Sequence, residues 1–183
     1  MGAARAQAAA RHPAPQSRRS AQTGQVERGC RPTAPRRTPG TSVIAYVDAS
    51  VLLRVALGQP DVLPEWSQIQ RGVASELVMT ESLRTLDRLR LRAKLADVEV
   101  AQRRATILAL IASLELVEIG AVVLDRAAQP MPTELGTLDA IHLATALLWK
   151  EMARVDLVMA THDGALALGA QAHGLPVVGA PRP

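Results

Sequence analysis

Four acids stand in contexts where carboxylates do chemistry: Asp48, Glu81, Asp139 and Asp163. Asp48 follows directly on the apolar run Val43-Ile44-Ala45-Tyr46-Val47, and Asp163 comes just beyond the stretch from Asp156 to Thr161. Short continuous apolar runs of this kind mark fully buried parallel strands, and in a parallel sheet both acids point to the same edge. Glu81 and Asp139 fall near the beginnings of helical patterns, and a helix that follows a strand begins at that edge too. Four carboxylates converging there would repel one another, so a cation is their natural partner. Oxygen ligands with few imidazoles point to magnesium or manganese. Such a cluster activates water and neutralises charge developing on a phosphodiester.

Each acid also has a plainer use. Asp48 and Asp163 are placed to cap the helices that follow them, and Asp139 is a first-turn acid favoured by the helix dipole. Glu81 has a rival in Glu76, which follows the expected helix cap Ser75 and is explained by the positive end of that helix. Ser50 and Thr161 are hydroxyls beside the strand ends, able to support the site or to bond backbone. Arg84 shares a helix face with Glu81 and can hold that carboxylate or a phosphate. With Arg88, Arg90, Arg92 and Lys94 it forms either a phosphate-facing ridge or a solvated helix face. His142 stands one turn from Asp139, but a lone histidine on a core-packed helix is usually structural, so it is excluded as a ligand. His162 and His173 receive no role.

The elements that must position these residues alternate along the chain. A strand over Val43 to Val47 leads through Asp48 into a helix over Ala49 to Ala56, ended by Gly58, Pro60 and Pro64. Val73 and Ala74 run to Ser75, read as the N-cap of a helix with Met79, Leu83 and Leu86 at helical intervals. Val98, Ala101, Ala105, Leu108 and Ala112 mark the buried face of another helix, with Asp97 able to cap its start. Leu116 to Ile119 reads as a strand, Ala121 to Ala128 as a short helix, and Pro130 with Pro132 as a break. The helix from Thr137 carries Asp139. A strand, the acid Asp163, a helix over Gly164 to His173 capped by Gly174, and a short strand at Pro176-Val177-Val178 complete the series. Alternation of this kind predicts an α/β/α three-layer sandwich with a mostly parallel central sheet.

Composition bounds the rest. A chain of 183 residues that is 48% hydrophobic suits one ordinary domain. Residues 1–42 carry eight arginines against the single acid Glu27, a net +7, whereas residues 43–183 carry 13 basic and 16 acidic residues, a net −3. The overall +4 therefore does not describe the domain, and a global argument from charge to nucleic-acid binding fails for it. The first segment is rich in Ala, Arg, Pro, Gln, Ser and Thr and poor in branched apolar residues, so disorder is expected. Two readings of it stand: a basic arm that adds salt-sensitive attraction to phosphates, or a start codon placed upstream of a true start near Thr41. Arg18-Arg19 is followed by no apolar stretch of the kind an export signal needs. The lone Cys30 excludes a disulfide framework and a cysteine-based zinc site, which suits a reducing cytoplasm. No apolar run approaches the roughly 18 residues that span a bilayer. Tyr46, Trp66 and Trp149 are the only aromatics, so a base-stacking platform is not expected.

At four places the resemblance becomes specific. Tyr46-Val47-Asp48-Ala49-Ser50, Glu81-Ser82-Leu83-Arg84, Thr137-Leu138-Asp139-Ala140-Ile141-His142-Leu143-Ala144-Thr145-Ala146 and Thr161-His162-Asp163 resemble, in order, the four motifs of PIN domains. The third is particularly similar to VapC-type toxins, the endoribonuclease partners of bacterial toxin–antitoxin pairs, and the resemblance spans about Val43 to Pro181. It favours Glu81 over Glu76. It implies metal-dependent RNA cleavage by the four acids with magnesium or manganese, a homodimer, and inhibition by a small antitoxin. Gly136, where many relatives carry a basic residue, and His162, where an aromatic is more usual, depart from the pattern without removing a carboxylate. Other uses fit less well. A haloacid-dehalogenase-type phosphatase needs an acid where Ser50 stands, and a receiver domain needs a lysine later than Lys150. A non-catalytic binding module would have no use for four acids, and structure-specific DNA nucleases usually carry more.

Overall fold

The computed structural model describes residues 43–60 and 62–180; the tail read from residues 1–42 lies outside them. In chain order the elements are β1 (Val43–Val47), α1 (Ala49–Ala56), a 3-10 turn (Pro64–Gln68), β2 (Ile69–Ser75), α2 (Leu77–Ala93) and α3 (Asp97–Ala112). They continue with β3 (Glu115–Val117), α4 (Ala121–Ala127), α5 (Thr137–Ala153), β4 (Val158–Ala160), α6 (Gly164–Ala172) and β5 (Val177–Val178). The strands form one sheet in the order β3-β2-β1-β4-β5, every pairing parallel. From central β1 the chain builds outward to β2 and β3, then returns to lay β4 and β5 on the other side. That reversal creates a switch point between β1 and β4, where α/β sheets open a crevice beyond their strand ends.

Alternation along β1 divides the core in two. Ala45 and Val47 face one side, where they pack with Val51 and Leu52 of α1, Val78 and Leu86 of α2, and Ile107 and Ile111 of α3. Tyr46 faces the other side, among Leu143, Ala146 and Leu147 of α5 and Leu166 and Ala170 of α6. The expected three layers are present, with α4 packed on α5.

Some local expectations fail. Ser75 does not cap α2: it is the buried last residue of β2, bridged to Val117, and Glu76 takes the cap position with helical backbone and no side-chain cap bond. The chain stays extended one residue longer because β3 pairs with β2 through Ser75. On α3 the face marked by Val98, Ala101, Ala105, Leu108 and Ala112 is exposed, with Val98 70% accessible, while Ile107 and Ile111 are buried. Both stripes have helical spacing. The isoleucines remove far more apolar area from water than an alanine-rich stripe can, so burial follows area. Met79 on α2 is likewise exposed, and Val78, Ser82 and Leu86 form the inward row. Gly174 takes φ +73 just past α6, the left-handed turn expected of it.

Candidate active site

Parallel register brings the first two acids together. Val47 lies opposite Ala160, so the next residues, Asp48 and Thr161, emerge side by side, with the Asp48 amide donating to the Ala160 carbonyl at 3.0 Å. Asp48 is 7% exposed. Its Oδ2 accepts from the Ser50 amide at 3.3 Å, the Ser50 hydroxyl at 2.5 Å and the Thr161 hydroxyl at 3.0 Å. Those hydroxyls are themselves fixed: Ser50 Oγ accepts from the His162 amide at 3.0 Å and Thr161 Oγ1 from the Asp163 amide at 2.9 Å. Ser50 and Thr161 therefore tie the two strand ends to one carboxylate.

Asp163 is exposed and caps α6, its Oδ1 accepting from the amides of Ala165 at 2.8 Å and Leu166 at 2.9 Å. Asp48 caps α1 through the Ser50 amide, so the capping expected of both acids is observed.

Glu81 reaches the edge from α2, in the other layer from α5, and is met there by an unexpected partner. His142 Nε2 lies 2.8 Å from Glu81 Oε2, and His142 is 1% exposed. Burial disfavours charge on this imidazole, but the hydrogen bond and charge of Glu81, helped by Asp48 and Asp139, outweigh it and raise its pKa. One potential ligand atom from each of Asp48, Glu81 and His142 falls within 4.8 Å of the others. Asp139 and Asp163 stand outside that group. Asp139 is coupled to it by charge: burial, then Asp163, then Asp48 raise its pKa, against smaller opposing effects from His142 and the Gly136 amide. A carboxylate with raised proton affinity among other carboxylates is short of positive charge, which fits a bound divalent cation. Glycine at position 136 leaves the approach to Asp139 open, since a Cβ there would lie 3.3 Å from Asp139 Oδ2.

His142 is buried, as expected of a structural histidine, but its bond to Glu81 was not foreseen from the sequence, which excluded it only as a ligand. Its three-residue spacing from Asp139 on one helix was the available signal. Glu76 is exposed at the start of α2 and bears on none of these groups. Arg84 does not hold Glu81; its Nη1 pairs with Asp87 at 2.9 Å, and its side chain is 65% exposed. Arg90 is paired with Asp97 at 3.0 Å, so the basic ridge is partly engaged within its own layer. Exposed pairs of this type contribute at most about 1 kcal/mol. If the chain cleaves RNA as the resemblance implies, Arg84→Ala should leave the melting temperature nearly unchanged while raising KM for RNA, most clearly at low salt. A large loss of stability with unchanged KM would make Arg84 structural.

A parallel sheet between two helical layers, with acids set beyond the strand ends at the switch point, defines a PIN-type α/β fold. Residues 45–167 match the PIN domain family, and the chain belongs to it. Ribonuclease VapC46 of Mycobacterium tuberculosis is 34% identical over 137 residues, which cover 73% of this chain and 95% of that protein. Among solved structures, a toxin–antitoxin complex from Klebsiella pneumoniae aligns with a TM-score of 0.53 at 20% identity, over 73% of this chain and 95% of that one. PAE2754 from Pyrobaculum aerophilum aligns with a TM-score of 0.51 at 20% identity, over 76% and 86% of the two chains. At such identities the structural likeness speaks for the fold.

Proposed function

We propose that this PIN domain is a divalent-metal-dependent endoribonuclease and the toxin of a toxin–antitoxin pair. The observation that carries the reading is the meeting of Asp48 and Glu81 at the switch point, with Asp139 coupled by charge to Asp163 and to Asp48 there. Similarity to Ribonuclease VapC46 over 95% of that protein supports RNA as the substrate. Asp48 and Glu81 hold magnesium or manganese, and Asp139 and Asp163 complete its charge balance. The cation supplies Lewis acidity that activates water and neutralises charge on the phosphodiester. Ser50 and Thr161 keep Asp48 in place, and Arg84 supports the RNA backbone from α2. With no aromatic platform, RNA is recognised by shape, backbone and hydrogen bonds.

A small antitoxin restrains the enzyme in this reading, and the active form is a homodimer in the cytoplasm. No helix among the described residues is long and apolar enough to cross a membrane. The test is cleavage of a panel of structured RNAs by the purified protein with magnesium, with manganese and with chelator. Cleavage is expected in either metal, none in chelator, and a rise in melting temperature when metal binds the native state. Cleavage that persists in chelator would overturn the metal mechanism, and failure on every RNA in both metals would overturn the ribonuclease reading.

A further inference from the structure

A buried polar chain runs from the backbone of β2 to the Glu81 carboxylate. Tyr46 is fully buried on the α5 side of the sheet, and its hydroxyl oxygen accepts from the Ser75 amide at 3.1 Å. That hydroxyl lies 2.9 Å from His142 Nδ1, with the Ser75 hydroxyl a more distant neighbour of the same nitrogen at 3.3 Å. On the far side of the ring, Nε2 lies 2.8 Å from Glu81 Oε2.

The polarity of this chain follows from what each group can do. An ionised Glu81 only accepts, so Nε2 carries a hydrogen and donates it, in the neutral and the cationic ring alike. In the neutral ring Nδ1 then accepts, and the Tyr46 hydroxyl is its nearest donor. The Tyr46 oxygen receives the Ser75 N–H, a main-chain donor that cannot be reversed. The phenol hydrogen is then the one free to reach Nδ1. In the neutral ring the direction runs from backbone, through phenol and imidazole, to carboxylate; in the cationic ring only the link from Nε2 to Glu81 keeps its direction.

Glu81 has need of such a hold. Its side chain is 21% exposed, has three rotatable bonds, and stands on α2, whereas His142 belongs to the opposite helical layer. We propose that His142, oriented by Tyr46 and the Ser75 amide, is a positioning residue that holds the Glu81 carboxylate beside Asp48, where the two take a divalent cation. This rests on the reading of Asp48 and Glu81 as metal-binding acids. His142 itself remains a hydrogen-bond donor and does not ligate. Partners that orient a ligand in this way typically change metal affinity by about 10- to 100-fold.

The test uses the full chain and magnesium chloride alone, with no RNA. Calorimetric titration of wild type, Tyr46→Phe, His142→Ala and His142→Gln is expected to show about tenfold weaker binding for the first two variants. His142→Gln, whose amide can still donate to Glu81, should recover most of the loss. In wild type, ring nitrogen NMR should show Nε2 keeping its hydrogen at saturating magnesium, a measurement that needs no variant to fold. Loss of that hydrogen on magnesium addition would make His142 a ligand and overturn the proposal. Equal binding by wild type, Tyr46→Phe and His142→Ala would overturn it while leaving the cation reading intact. A wild-type protein that binds no magnesium would bring down the cation reading and this proposal with it.

Discussion

Asp48→Asn is expected to reduce RNA cleavage by on the order of 10²- to 10³-fold while leaving the fold in place, the loss of a few kcal/mol of transition-state stabilisation. The substitution changes one thing chemically. Asparagine caps a helix as well as aspartate does, so α1 keeps its start, and its carbonyl oxygen can still accept from Ser50 or Thr161. What disappears is the negative charge that faces Glu81 across the edge of the sheet. The melting temperature in chelator should therefore stay close to wild type, and the rise produced by adding magnesium should be lost together with the activity. A variant that still cleaves at the wild-type rate would remove Asp48 from the mechanism. A variant that fails to fold in chelator would show that the charge serves the hydroxyl network rather than a cation.

For Asp139→Asn the expected effects on activity and stability have opposite signs. Burial, Asp163 and Asp48 raise the Asp139 pKa in the folded protein above its unfolded value. The folded state thus favours the protonated form. Asp139 supports folding at pH below the ordinary carboxylate range and opposes it increasingly as pH rises through its raised pKa. At neutral pH the metal-free wild type carries the full penalty and the asparagine variant does not. Asp139→Asn should melt higher than wild type in chelator at neutral pH, and that advantage should vanish as the pH is lowered through the carboxylate range. Cleavage should fall steeply, since charge balance for the cation is lost. Thermal melts against pH in chelator check this directly. A neutral-pH melting temperature below that of wild type would mean that Asp139 is held by favourable contacts and is not one of a group of repelling anions.

The fold was legible from the sequence because its strongest signals are physical necessities. A strand buried on both faces must be apolar throughout, as Val43–Val47 is, and the acids following such strands had few other places to go. Spacing set the placement of Asp48, Asp139 and Asp163 for the same reason. What could not be read depended on choices made between elements. Whether α3 buries its isoleucines or its alanine stripe is decided by the surface α1 and α2 present to it, and periodicity alone admits both. Ser75 has the composition of a helix cap, but the strand continues through it because β3 pairs there. His142 could be read only as a structural histidine because its partners, Tyr46, Ser75 and Glu81, are distant in sequence and meet it only when both layers close on the sheet. Arg84 illustrates the reverse: a local helical neighbour, Asp87, captured the charge that spacing had offered to Glu81.

Strand order carries a further consequence, for how the protein is made. β1 is the first strand of the sheet to be synthesised, yet one of its two neighbours, β4, is the fourth. Until β4 arrives the Asp48 amide lacks the Ala160 carbonyl, and its carboxylate lacks the Thr161 hydroxyl. Domains fold as units while the chain leaves the ribosome, N-terminal parts first. A nascent chain halted after α5 would already contain Asp48, Glu81 and Asp139 but would have no closed crevice in which to assemble them. All four acids are present only once Asp163 has been translated, so the assembly proposed to act on RNA would be incomplete through most of the protein's own synthesis beside the RNA of the ribosome.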